Sequence, residues 1–264
     1  MPDTAVCLDI KGLTKRFGGF YALNELDMEV RTGDIHALIG PNGAGKTTFF
    51  NLLTGVLAAD DGAILFEGRP LDEPRPSRRT ERGIARTFQN IRLFPHLTVL
   101  ETVMIGEHCR AYGSTWTALG AAIFRRPFGE AAEERHMRKN AMELLAFLGL
   151  AAQADERASN LSYGDQRKLE IARALATQPR LLLLDEPAAG LNPQETAALD
   201  DVITRVRDRG VTVVLIEHDM NLVMGISDRV TVLNFGTKIA EGTPGEVQAD
   251  PAVLEAYLGE DAKP

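Results

Sequence analysis

Gly40-Pro41-Asn42-Gly43-Ala44-Gly45-Lys46-Thr47 constrains this chain more than any other stretch. Its spacing is G-x-x-x-x-G-K-[ST], and its flanks matter as much as its letters. Asp34-Ile35-His36-Ala37-Leu38-Ile39 before it is short and apolar, which predicts a buried strand. Lys46-Thr47-Thr48-Phe49-Phe50-Asn51-Leu52-Leu53 after it predicts a helix that stops near Gly55. Strand, glycine loop and helix in that order aim backbone N–H groups and a helix N-terminus at phosphate oxygens. Gly40, Pro41, Asn42, Gly43, Ala44 and Gly45 form the expected cradle, with glycine where the backbone must approach closely or take positive φ. Lys46 is expected to reach the β- and γ-phosphates, and Thr47 to offer its hydroxyl to Mg²⁺. Thr48 joins them in the first helical turn. A chance glycine-rich turn would not bring both the strand and the helix with it.

The 264 residues are 44% hydrophobic, enough for a large core, and one domain with an embedded subdomain is expected. The formal net charge of -8 argues against a nucleic-acid partner, which usually meets a basic face. Cys7 and Cys109 lie far apart and without metal-ligand spacing, so both are read as reduced thiols. The longest apolar candidate, Trp116 to Phe124, falls far short of the roughly 18–20 residues of a membrane span. The N-terminus lacks a basic-then-apolar signal sequence. The expectation is a soluble, cytoplasmic protein, which leaves room for docking on a membrane protein.

Val6 to Ile10 and Leu26 to Val30 read as an antiparallel lead-in, with Lys15 to Gly19 as a turn bearing an exposed Phe17. Gly62 to Glu67 is another strand, Pro70 to Pro76 a connector, and Arg86 to Gln89 a strand end entering a loop. From Ile91 to Asn160 the pattern turns helical, most clearly over Glu130 to Leu148. A helix over Asp165 to Thr177 has Leu169, Ile171, Ala172 and Leu175 as its apolar stripe. Arg180 to Leu184 and Val211 to Ile216 are continuous apolar runs separated by a helix over Pro193 to Arg209. Such runs alternating with helices imply a mainly parallel sheet covered on both faces. Asp250-Pro251 starts a last helix, with Gly259 expected just past its end. The fold class is therefore α/β: a phosphate-loop core with a mainly parallel sheet, an antiparallel β lead-in and an inserted helical subdomain.

Leu181-Leu182-Leu183-Leu184 ends in Asp185-Glu186. Side chains at the carboxyl ends of parallel strands face the ligand crevice. Asp185 is then a candidate for Mg²⁺, opposite Thr47, and Glu186 a general base for the attacking water. Val213 to Ile216 ends likewise in Glu217-His218, and His218 could hydrogen-bond the γ-phosphate or the water. His36, His96, His108 and His136 lack that placement and are read as structural. Gln89 is a weaker candidate, since its amide can contact Mg²⁺ or water but a loop glutamine is usually just solvated. Leu161-Ser162-Tyr163-Gly164-Asp165-Gln166 precedes a helix and makes a second anion cradle, or else a plain helix cap. One chain has no use for two cradles at one site; two copies packed head to tail do.

These residues together resemble the ATP-binding subunit of an ABC transporter, from about Leu8 to Leu258. Gly40–Thr47 is similar to Walker A, Gln89 to the Q-loop, Leu161–Gln166 to the signature, and Leu181–Asp185 with Glu186 to Walker B. Ala189-Gly190-Leu191-Asn192 follows as the D-loop and His218 as the switch histidine, and Phe17 sits where the family stacks an aromatic on adenine. Tyr163 and Asp165 depart from the common L-S-G-G-Q, and Asn192 replaces the usual D-loop aspartate. Ser162 and Gly164 remain, so little loss of ATP binding is expected. Arg86-Thr87-Phe88-Gln89-Asn90-Ile91-Arg92-Leu93-Phe94, Leu169 to Arg173 and Ile216 to Met220 resemble branched-chain amino acid importers, as does the ending Ala256-Tyr257-Leu258-Gly259. The resemblance implies ATP and Mg²⁺, and a second ATPase subunit, either a paralogue or a second copy. Ser162, Tyr163, Gly164, Asp165 and Gln166 would serve that partner's nucleotide. It also implies two membrane permease subunits, indirectly a solute-binding protein, and a place on the cytoplasmic face of the membrane. The matching division is residues 1–90 and 161–245 as nucleotide-binding core, 91–160 as helical subdomain and 246–264 as C-terminal helix and tail. ABC ATPases of DNA repair or translation usually carry coiled-coil inserts, zinc motifs or tandem cassettes. This chain has no Cys-x-x-Cys and no long heptad run. Glu186 and His218 speak against a binding module without turnover.

Overall fold

The computed structural model describes residues 5–111 and 127–261, with side chains for 5–107 and 134–257. The Trp116–Phe124 stretch and the side chains of His108 and Cys109 lie outside the described residues. The site is organised by a six-stranded sheet of order β10-β9-β3-β8-β7-β6. Its strands are β3 (Ile35–Ile39), β6 (Ile84–Arg86), β7 (Leu181–Asp185), β8 (Thr212–Ile216), β9 (Arg229–Asn234) and β10 (Thr237–Gly242). All neighbours pair in parallel except β9 and β10.

β3, β7 and β8 are buried at every residue, because both faces of the sheet are covered. Successive side chains go to opposite cores, as the two-residue period of a strand requires. Leu182, Leu184, Val213 and Leu215 join the core under the helices. Leu181, Leu183, Val214 and Ile216 join the core under a second sheet. That sheet is antiparallel, ordered β2-β1-β4-β5, from β1 (Val6–Phe17), β2 (Phe20–Arg31), β4 (Asp61–Phe66) and β5 (Arg69–Pro70). Between the two sheets lies α1 (Lys46–Leu53), with Phe49, Phe50, Leu52 and Leu53 buried in the shared core.

The helices under the other face are α3 (Val99–Ala111), α4 (Pro127–Phe147), α5 (Tyr163–Ala176) and α6 (Pro193–Asp208), after a short α2 (Pro76–Glu81) in the second sheet's connection. Leu169, Ile171, Ala172 and Leu175 of α5 are buried, as their spacing predicts. α7 (Met220–Ile226), α8 (Pro244–Gln248) and α9 (Pro251–Asp261) complete the chain.

Two expectations need correction. Lys15, Arg16 and Phe17 are not in a turn; β1 continues through them, because Arg16 and Phe17 pair with Tyr21 and Phe20 of β2. Gly259 lies inside α9 rather than past its end, since the helix runs to Asp261. The β9–β10 hairpin and α8 went unread, although Thr243-Pro244-Gly245-Glu246 is a capping box with proline in the first turn.

Candidate functional site

β3 delivers the chain into the glycine loop at the carboxyl edge of the sheet. Gly40 has φ +144°, and a Cβ there would collide with the Leu233 carbonyl oxygen of β9. Gly45 has φ +108°, and a Cβ there would meet the Ala22 carbonyl oxygen of β2. Both positions therefore require glycine. Gly45 is the N-cap of α1 and offers no side chain to the first-turn N–H groups. By helix geometry those groups have no acceptor within the helix, so they and the positive helix end are directed at whatever fills the loop. Lys46 is buried and arches back over the loop, its Nζ donating to the carbonyls of Gly40 (2.5 Å) and Pro41 (2.9 Å). It thus spans the loop that a phosphate would occupy.

An open cavity of about 290 Å³ lies over this loop. Asn42, Gly43, Ala44, Gly45, Lys46, Thr47 and Thr48 line one side, Glu186 and His218 another, and Phe17, Phe20 and Ala22 a third. Phe17 and Phe20 flank the β1–β2 turn and are half exposed, at 50% and 57%. Phe20 was missed in the sequence; its partnership with Phe17 follows from the hairpin register, which Phe17-Gly18-Gly19-Phe20 could have signalled.

Glu186 follows β7 with φ +47°, a conformation that a residue with a Cβ rarely adopts. Its N–H donates to the Ile216 carbonyl of β8, 2.9 Å away. Its carboxylate is held on both oxygens: Oε1 by His218 Nε2 at 3.0 Å and Oε2 by the Gln89 amide at 2.8 Å. Gln89 and His218 thus meet on Glu186, though they lie 97 and 32 residues from it. Beneath them, buried Glu217 accepts the N–H groups of Ala188 (2.7 Å) and His218 (2.9 Å), locking the loops after β7 and β8 together.

Asp185 is buried and does not line the cavity. Its Oδ2 is held by Arg86 Nη2 at 2.6 Å. Arg86 also donates to Asn51 Oδ1 (2.8 Å) and lies near the rings of Phe50 and Phe88. Sequence reading placed Arg86 at a strand end and in the importer-like stretch to Phe94, but gave it no role at the site. Thr47 is exposed and lines the cavity over the glycine loop, which Asp185 and Gln89 do not. With the Gln89 amide nitrogen committed to Glu186, the groups left for a metal are a hydroxyl, a carboxylate oxygen and an amide oxygen. That all-oxygen set suits Mg²⁺, which also keeps water and phosphate ligands. No group of three or more His, Cys, Asp or Glu able to hold a metal occurs among the described residues.

The second cradle lies elsewhere. Ser162 is the N-cap of α5, with Oγ accepting the Asp165 N–H at 3.1 Å. Tyr163 accepts from Arg167 at 2.9 Å, Asp165 pairs with Lys168 at 3.0 Å, and Gln166 donates to the Leu161 carbonyl. Ser162, Gly164, Asp165 and Lys168 border a separate cavity of about 340 Å³ together with Asn192, Gln194 and Glu195. Asn192 keeps its hydrogen bonds by capping α6, and Glu195 reciprocates. None of these residues lines the cavity over the glycine loop. Ser162 is therefore a helix cap, and the cradle it starts is left open.

The family model described as ABC transporter matches residues 23–189 of this chain. The chain belongs to the ABC transporter family. It is an ATP-binding ATPase subunit of that family, with the phosphate-loop NTPase fold. A second family model, described as branched-chain amino acid ATP-binding cassette transporter, matches residues 237–263, the β10–α9 end. The chain is 47% identical to the high-affinity branched-chain amino acid transport ATP-binding protein LivG of Salmonella typhimurium, over 96% of this chain and 98% of the relative. It is 43% identical to BraF of Pseudomonas aeruginosa, a protein of the same description, over the same shares. Among solved structures, an ATP-binding cassette of an ABC transporter in its ADP conformation superposes with a TM-score of 0.83 at 33% identity, over 97% of this chain and all of that one. A cassette solved as a dimer in a post-hydrolysis state with ADP and Pi superposes with a TM-score of 0.73 at 25% identity, over 90% and 98%. Among the described residues of this ABC ATPase no helix is long and apolar enough to cross a membrane.

Proposed function

We propose that this ATPase drives import of branched-chain or other hydrophobic amino acids, as one of two ATPase subunits that close on two ATP molecules. The solute class is supported by the identity to LivG and BraF along nearly the whole of each chain. The assignment of the hydrolytic site rests on one observation: Glu186 stands beside the phosphate loop with both carboxylate oxygens held, by His218 and Gln89.

Each residue has a role that follows from its chemistry. Backbone N–H groups of the loop and the first turn of α1 receive the phosphates, other than that of Ala44, which donates to the Pro41 carbonyl, and Lys46 exchanges its bonds to Gly40 and Pro41 for the β- and γ-phosphates. Phe17 and Phe20 offer apolar faces for adenine. Thr47, Asp185 and the Gln89 oxygen would hold Mg²⁺, whose charge when bound offsets that of the phosphates. Glu186 takes the proton of the attacking water, and His218 orients its carboxylate and hydrogen-bonds toward the γ-phosphate. The cradle of Ser162, Tyr163, Gly164, Asp165 and Gln166, with Asn192 beside it, serves the nucleotide of the partner ATPase. Its separation from this chain's own glycine loop supports that reading.

Closure of the ATPase pair would pull on two membrane permease subunits from the cytoplasmic face of the plasma membrane, with a solute-binding protein on the far side. Residues 91–160 would be the arm that meets the permeases, 1–90 and 161–245 the nucleotide-binding core, and 246–264 a C-terminal helix and tail. The test is a pull-down from native membranes with tagged Glu186→Gln and ATP. Two polytopic membrane proteins and a second ATPase should be recovered. Recovery of soluble, nucleic-acid-associated proteins alone would refute the importer.

A further inference from the structure

α5 carries Arg167, Glu170 and Arg173 three residues apart, which puts them on one face of the helix. All three grip the backbone of residues 88–92. Arg167 donates to the carbonyls of Phe88 (3.0 Å) and Gln89 (2.6 Å). Glu170 accepts the Arg92 N–H at 2.8 Å, and Arg173 donates to the Arg92 carbonyl at 2.5 Å. The side chains of Arg167 and Glu170 are only 4% and 1% exposed and stand 3.6 Å apart. Burying such charges is costly unless they are paired, whereas water can satisfy a loop's carbonyls at no such cost. The clasp therefore selects one path for this loop. That path decides where Gln89 points, and its amide is on Glu186. Arg167 also bonds the Tyr163 hydroxyl in the first turn of α5, next to the open cradle. Arg167 lines neither the cavity over the glycine loop nor the one at the cradle.

We propose that Arg167 is a positioning residue for hydrolysis: by gripping the Phe88 and Gln89 carbonyls it holds the Gln89 amide on Glu186, and so ties the orientation of the base to the seating of the α5 cradle. This rests on Glu186 being the base. The test is a double-mutant cycle on the full chain with Arg167→Met and Gln89→Ala, reading ATP turnover and nucleotide affinity. Arg167→Met should lower kcat roughly tenfold or more, the effect of a misplaced catalytic group, with KM and nucleotide affinity no worse than in Gln89→Ala. In the Gln89→Ala background it should add nothing, because the two residues act in series. Effects that multiply, or a loss of nucleotide affinity beyond that of Gln89→Ala, would overturn the proposal. If thermal melting finds Arg167→Met unfolded, Arg167→Lys, which keeps the charge and loses the fork, is put through the same cycle with the same expectation. Unchanged turnover in Glu186→Gln is a separate failure: it removes the base itself.

Discussion

His36 offers a prediction whose size can be worked from its surroundings. It is the second residue of β3, fully buried, with β8 on one side and β9 on the other. Its Nε2 shares a hydrogen bond of 2.8 Å with Thr231 Oγ1 of β9, and its Nδ1 has no partner. Burial pushes the imidazole down from 6.5 to about 4; Glu241 opposes the shift, and Arg229 and Lys238 add to it. Above pH 6.5 the ring is neutral in both folded and unfolded chain, and its full contribution to stability is present. As pH falls from 6.5 towards 4 the unfolded chain binds a proton that the folded chain refuses, so stability is lost. The gap from 6.5 to 4 is about 2.5 pH units, and at 1.36 kcal/mol each the limiting loss is about 3 kcal/mol. Most of it should have accrued by about pH 4.5, where the unfolded ring is almost wholly protonated. Urea unfolding of the full chain and of His36→Gln, each at about pH 7.5 and about pH 4.5, isolates this residue from the other titrating groups. The unsubstituted chain should lose about 2–3 kcal/mol more than the variant across that interval. Equal losses would mean that His36 protonates in the folded sheet at its ordinary pKa, and the burial argument would be wrong.

Four further outcomes follow from the site. Glu186→Gln should bind ATP normally yet hydrolyse it at least about a hundredfold more slowly, as loss of a general base requires; single-turnover assays would detect wild-type turnover if the assignment is wrong. Lys46→Ala should lose ATP affinity in equilibrium binding, because it removes the cation that arches over the loop. Gly40→Ala should unfold at lower temperature by the equivalent of about 2 kcal/mol or more and lose nucleotide binding, since its Cβ meets a backbone carbonyl of β9 that cannot turn away. Phe20→Ala should weaken ATP binding by up to about tenfold and leave phosphate-only ligands unaffected, the signature of a lost stacking contact; equal losses for ATP and pyrophosphate would refute it.

Much of the site was legible because its chemistry is local in the chain. Gly40 to Thr47 combines a strand exit, a glycine loop and a helix start within a dozen residues, and each is a backbone preference of the residues themselves. Asp185-Glu186 and Glu217-His218 were legible for a related reason. Unbroken apolar runs in β7 and β8 must be parallel strands covered on both faces, and polar pairs at their ends must then share one edge. The β9–β10 hairpin was harder to read. Arg229 and Glu241 break its apolar pattern, and they pair with each other across the hairpin at 3.1 Å. Lys15 to Phe17 read as a turn because Gly18-Gly19 dominates the local signal, whereas cross-strand pairing carries β1 up to the glycines.

The sequence by itself determined that Gly40–Thr47, Asp185-Glu186 and Glu217-His218 stand at strand ends, since period, glycine spacing and residue type are properties of short segments. Tertiary structure alone decided who holds whom. Gln89 and His218 converge on the two oxygens of Glu186 only because β6, β7 and β8 are neighbours in the sheet. Asp185 meets Arg86 for the same reason, though 99 residues separate them. α5 clasps residues 88–92 only because the helical layer packs beneath that edge. The glycine loop and the α5 cradle border two separate cavities with no lining residue in common. Such pairings depend on strand order and packing distance, which no window of sequence contains.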